Sequence, residues 1–128
     1  MDLTEREAVK AYARMMNTRN IGHFEPLIAD DIELKSQVQS EPVQGRQAFL
    51  DYLAKNLEKI ADDAQVWAEI GEIPSCGRTR PCAVLSQYRP ENRVASATVD
   101  IEGNKVKRLN LFFIPSPEDA ERTGEFPT

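Results

Sequence analysis

The residues of this chain that could do chemistry are a tyrosine on an apolar helix face, a serine on the buried side of a strand, one histidine and two closely spaced cysteines. Tyr12 stands with Ala8, Val9, Met15 and Met16 at helical spacing. A phenol there is either a core aromatic with its hydroxyl near the rim or a hydrogen-bond donor to a bound molecule. Ser36 is the third inward position of an alternating run, Ile32, Leu34, Ser36 and Val38. Its hydroxyl must be hydrogen-bonded if dry, and without an adjacent base it is no nucleophile or base at neutral pH. His23 is the single histidine, which excludes a triad or a metal site needing two; a loop–helix junction suits a surface or capping role.

Cys76 and Cys82 lie in IPSCGRTRPC. A disulfide across that loop is conceivable, but a reducing cytosol opposes it, and two thiols fall short of the four ligands a structural zinc ion takes. Both cysteines read as structural, and neither a metal nor a cofactor is expected.

The elements that position these residues follow from hydrophobic period. Thr4 with Glu7 is a capping box that starts a first helix, and Asn17, Thr18, Asn20 and Gly22 end it. In HFEPLIADD, Phe24, Leu27 and Ile28 gather on one side of a short helix that kinks or begins at Pro26. The period then changes from helical to two over 32–38, the first strand. SEPVQG reads as a loop, and Gly45 to about Ile60 as a second helix burying Phe49, Leu50, Leu53, Leu57 and Ile60. Strands are expected near 64–73, 81–89, 93–101 and 105–114, with Glu102-Gly103-Asn104 a Gly-containing turn between the last two. The tail, about 115–128, is expected irregular, with at most a short helical turn across the sheet. This order describes an α+β unit, 1–128, with helices on one face of a curved antiparallel sheet and a cone-shaped cavity beneath them.

Composition narrows the function classes. With 128 residues and a net charge of −5, the chain suits one domain and repels nucleic acid on average. The densest basic spots are Arg78 with Arg80 in a hairpin loop, and Lys105, Lys107 and Arg108 at a strand start; both read as solvated charge. The N-terminus is polar and no apolar run approaches the ~20 residues of a membrane span, so a cytoplasmic protein without a membrane partner is expected.

The run from Ala29 to Gly45, with Ala29-Asp30-Asp31, Val38, Ser40-Glu41-Pro42 and Gly45, resembles the first strand and loop of the ketosteroid isomerase branch of the nuclear transport factor 2-like superfamily, which includes SnoaL-like proteins. The match continues through Tyr12 and Asn17 upstream, through Ala48, Ala54 and Leu57 downstream, and again from Gly103 to Phe113. The resemblance implies a cystatin-like α+β barrel, a cone-shaped sheet wrapped around helices. It also implies a pocket donor at Tyr12, whereas the general-base aspartate falls on Ser36 and the second oxyanion donor on Ala97. Two supporting tyrosines fall on Ile28 and Leu53. The isomerase reaction needs a carboxylate base and donors to the developing enolate oxygen. Steroid isomerisation by that route is therefore not expected.

The resemblance implies a small apolar ligand in a pocket lined by Tyr12, Met16, Ser36, Val38, Leu53, Ala97, Leu109, Leu111 and Phe113, with Tyr12 and Ser36 the candidates for any catalysis. Trp67 and Phe112 alternate onto the face away from the helices, where family members commonly dimerise, so a homodimer through that face is expected. Three functions stand open: an enzyme on an apolar polycyclic or polyketide-like substrate, a binding or carrier module without chemistry, and an association domain whose pocket its own side chains fill. An acid or base in the cavity favours the first, an open apolar cavity the second, and a plugged one the third.

Overall fold

The computed structural model describes residues 2–37, 40–63, 66–75, 77–88, 92–113 and 116–128, with the backbone alone at 60–63 and 75. Thr4 caps α1, Glu5–Thr18, accepting from the Glu7 amide at 3.1 Å. The helix ends where Arg19 turns into the left-handed region at φ 60° and returns its amide to the Met15 carbonyl. In the last turn of the helix, Asn17 acts as a short piece of strand: its carboxamide accepts from Ala68 N at 2.8 Å and donates to Ala68 O at 2.9 Å, fixing the helix end to the sheet.

Two single 3₁₀ turns follow, Ile21–His23 and Glu25–Leu27. The expected short helix is thus a pair of turns, with Pro26 in the first turn of the second. Ile28, placed in that helix by its spacing, instead opens strand β1, Ile28–Ser36. Arg46 holds the junction through the carbonyls of Ile28 and Glu25, at 2.9 and 3.2 Å. An irregularity between Ile28 and Glu33 breaks the alternation, so that regular period-two spacing begins only at Ile32. Val38, expected on the inward row, lies outside the described residues, as do Gln65 and Cys76.

A two-residue strand β2, Val43–Gln44, sits within the expected loop, and α2 runs Arg46–Asp63. Then come β3, Val66–Ser75; β4, Arg78–Gln87; β5, Arg93–Glu102; and β6, Lys105–Phe112. Gly103 and Asn104 both have positive φ between the paired Glu102 and Lys105, the backbone of a tight two-residue hairpin. Arg78 and Arg80 are strand residues rather than loop residues, because Arg80 pairs with Ile73 across β3 and β4. The tail is not irregular: after a 3₁₀ turn, Pro117–Asp119, it adds β7, Glu121–Glu125, to the free edge of β3.

The sheet order is β2-β1-β6-β5-β4-β3-β7, antiparallel except for the parallel β1–β6 pair. This is the expected α+β arrangement, with the sheet curved and unclosed. Helix α1 crosses β3, β4 and β5, while α2 packs against β1 and β2. No helix among the described residues is long and apolar enough to cross a membrane.

Candidate functional site

The inner face is where the sequence placed the pocket, and there the side chains meet each other. Tyr12, Met15, Met16, Phe24, Leu34, Leu53, Ala97, Val99 and Leu109 belong to one buried cluster. The Tyr12 ring stands edge-on to Phe24 with centroids 5.6 Å apart, and Phe24 leans on Phe49 at 6.4 Å. Tyr12 keeps only 3% of its surface. Burial first, and Tyr52 second, push its phenol above the ordinary value, so the group stays neutral and can only donate or accept a hydrogen bond. Tyr52 was not singled out from the sequence, because Leu53 occupies the matching position. The one sign of it is a tyrosine flanking the Phe49–Leu53–Leu57 stripe.

Among the described residues, the buried polar side chains are Glu69, Ser86, Ser96 and Thr98. All four have outward parity on their strands, opposite Ala68, Leu85, Ala97 and Val99. Among the described residues, the inner row therefore offers no acid or base to complement Tyr12.

The outer face is different. A groove of about 600 Å³ crosses it, lined among others by Ile73, Arg80, Thr98, Asp100, Asn110 and Phe112. Ser36 and Leu111 also reach this groove, at the end of the strands they occupy, while Tyr12, Met16, Leu53, Ala97 and Leu109 do not line it. Phe113, expected inward, is 43% exposed, since β6 ends one residue earlier and its amide turns to the Gln37 side chain at 2.8 Å. The residues proposed to share one pocket are thus split between a packed core and a groove on the other side of the sheet.

The groove floor is an ordered polar network. Asn110 Nδ2 donates to Thr98 Oγ1 at 3.3 Å and to Asp100 Oδ2 at 3.1 Å. Arg80 reaches Asp100 at 3.0 Å, Glu5 on α1 at 2.9 Å and the Val99 carbonyl at 2.6 Å. Burial works against its charge, but Glu5 and Asp100 outweigh it and hold the guanidinium above its ordinary value. Arg108 lies 3.6 Å from both Asp100 and Glu33. The Asp100 carboxylate is thus already engaged by two arginines and an amide. Beside this network stand the apolar walls, Ile73, Pro74, Leu111 and Phe112.

Trp67 is half-buried and lines a smaller cavity of about 330 Å³ with Asn17, Arg19 and Phe126. Phe112, also half-buried, packs on a second small cluster of Ile73, Cys82, Val84 and Ala120. Cys82 is a free thiol in that cluster; burial, then Glu72, pushes it up to about 12, far from any nucleophilic state. His23 is half-buried in its 3₁₀ turn. Among the described residues no three His, Cys, Asp or Glu side chains gather as a metal site.

No family model and no curated protein matches the sequence. Solved structures do match the fold. A Sinorhizobium meliloti protein provisionally named a polyketide cyclase superposes with a TM-score of 0.57 at 16% identity, over 79% of this chain and 89% of that one. A Kribbella flavida protein provisionally named a ketosteroid isomerase gives 0.59 at 19% identity, over 97% and 82%. An uncharacterised cystatin-fold protein from Novosphingobium aromaticivorans gives 0.61 at 18% identity, over 85% and 97%. This chain has the nuclear transport factor 2-like fold, a curved and unclosed α+β sheet of the cystatin type.

Proposed function

We propose that this protein is a non-catalytic association module that pairs with a second copy of itself through the outer face of the sheet. The observation that carries this reading is the contrast between the faces. The positions that would line a ligand pocket, Tyr12, Met16, Leu53, Ala97 and Leu109, are buried against one another, while an open groove with apolar walls crosses the opposite side. Interfaces favour this composition, aromatic and aliphatic anchors beside ordered arginine networks. Phe112 and Leu111 supply the anchors, and Arg80 with Asp100 the polar part. Trp67 stands toward the far side of the same face and loses exposure on pairing.

Sedimentation velocity over about 1–100 µM tests the reading, since pairing follows mass action. A concentration-dependent dimer is expected, weakened by Asn110→Arg, which sets a long cation on the groove floor. A wild type that stays monomeric throughout contradicts it. Because the sequence has a single tryptophan, Trp67 emission reports the same event.

A second reading is favoured by the names of the structural relatives. A small-molecule protein acting on an apolar polycyclic or polyketide-like compound fits a fold shared with proteins provisionally named polyketide cyclase and ketosteroid isomerase. Here Ser36 and Leu111, which line the groove, are its contacts, and Tyr12 is reached only if the core opens. Thermal shift against steroids and other polycyclic compounds separates the two: the association reading expects no shift that depends on Tyr12. In either reading the protein acts in the cytoplasm, where Cys82 stays a free thiol.

A further inference from the structure

The C-terminal segment 116–125 is attached to the sheet in a way the main core is not. Its apolar contribution is small: Pro117 and Ala120 are buried, the latter against Ile73, Cys82 and Val84. Most of its hold is polar and converges on one carboxylate. Glu69, only 2% exposed, accepts from Arg122 Nε at 2.7 Å with one oxygen and from the Gly124 amide at 2.7 Å with the other. A second Arg122 nitrogen also lies 2.7 Å from that first oxygen. Thr123 donates to the Ile70 carbonyl at 2.6 Å.

Two glycines make the fit possible. A Cβ on Gly71 would lie 2.9 Å from the Glu121 carbonyl, and Gly124 needs φ +77° to present its amide. The ties from Glu125 to Arg6 and Lys10, at 3.0 Å each, are partly exposed pairs that add little. The segment also has a short ladder to β3 and an Arg93 contact to the Pro117 carbonyl, and Asn17 donates to the Pro127 carbonyl at 2.8 Å just beyond it. A short edge strand held by these bonds and one buried carboxylate, over few apolar contacts, is the kind that opens locally, below the free energy of global unfolding. What it supports also matters, because Ile73 and Phe112 are at once its packing partners and two walls of the groove.

We propose that segment 116–125 is a latched strap, closed by Glu69 on Arg122 and Gly124, which opens as a unit while the main core stays folded. We propose also that pairing through the outer face requires the strap docked. The second half rests on the association reading; the first does not. An opened strap leaves Phe112 and Ile73 without backing, so the groove loses its apolar wall.

Cys82 provides the readout, since the docked strap covers it and its thiol is held far from thiolate. In a Cys76→Ser background, a small aromatic disulfide reagent reports Cys82 exposure through the released thiolate. In the wild type, the labelling rate at low urea should be nearly independent of urea, because a local opening exposes little surface. Glu69→Gln should speed labelling on the order of 10-fold or more, since it removes the charge-assisted hydrogen bonds to the partly exposed Arg122 and to the Gly124 amide. Gly71→Ala, which presses on the strap from below, should act in the same direction without touching the carboxylate.

Labelling that tracks global unfolding from zero urea upward overturns the strap, as does a Glu69→Gln rate equal to wild type. Sedimentation decides the coupling: Glu69→Gln should weaken the dimer in step with its labelling. Faster labelling with an unchanged dimer overturns the coupling alone. A monomeric wild type overturns the coupling together with the association reading, and the labelling arm then decides the strap by itself.

Discussion

The inner and outer faces of this sheet are built from the same strands, one residue apart, and they differ in what they leave for another molecule. Inward, Leu34, Ala97, Val99 and Leu109 meet Tyr12, Met16 and Phe24 in a cluster that, among the described residues, sets no carboxylate or imidazole beside the phenol. Outward, Thr98, Asp100, Arg80 and Asn110 form the hydrogen-bonded floor of a groove with apolar walls. A tight interior gives stability and forgoes chemistry, since a reacting group needs both space and a base. The open face keeps the capacity for recognition.

The contrast can be broken most strongly from within. Ala97→Asp, which would restore an acidic residue at the position the resemblance assigns to an oxyanion donor, puts an unpaired carboxyl into a site with 1% exposure. It should destabilise the fold by several kcal/mol, about 3–5 by comparison with other buried charges left unpaired, and urea denaturation should show it. Had the cone been open, the same change would be tolerated. Leu109→Ala on the inner row should cost about 2–5 kcal/mol through cavity formation, by the same measurement.

On the outer face the effects should be smaller. Arg80→Ala removes a guanidinium that serves Glu5, Asp100 and the Val99 carbonyl at once, and a loss of about 1–3 kcal/mol is expected. Thr98→Ala should cost about 1 kcal/mol or less, since it removes one neutral hydrogen bond.

Alkaline pH sharpens the comparison further. Cys82 and Tyr12 both have pKa values raised by burial, so each favours the folded state in its protonated form. Their stabilisation is full below the unfolded values and is lost as pH rises through the folded ones. Stability should therefore decline from about pH 9 as the unfolded thiol ionises, and the Cys82 contribution should be exhausted near its folded value of about 12. Cys82→Ala should flatten that part of the curve, leaving the later decline due to Tyr12.

Much of the fold was legible because period and capping are local signals. Thr4 with Glu7, the Phe49–Leu53–Leu57 stripe and the Gly103-Asn104 hairpin each announce their element in a few residues. β7 was not legible, since ERTGE has no apolar alternation and pairs only because Glu69, some fifty residues away, recruits Arg122 and Gly124. Arg80 was read as loop charge for the same reason: the partners that let it sit in a strand, Glu5 and Asp100, are distant in sequence. Inward parity at Tyr12, Ala97 and Leu109 could be read from the chain, but whether the space between them is filled could not. That depends on how closely α1 and Phe24 approach the sheet, which alternation does not encode.

Amide spectra recorded as protein concentration rises test most directly which face receives another molecule. Pairing through the outer face predicts shifts concentrated at Thr98, Asp100, Asn110, Leu111 and Phe112, with Leu53 and the amides around Tyr12 unmoved. Spectra that do not change with concentration, together with an added polycyclic compound shifting Tyr12, Leu53 and Ala97, would contradict it and place the ligand site inside the cone.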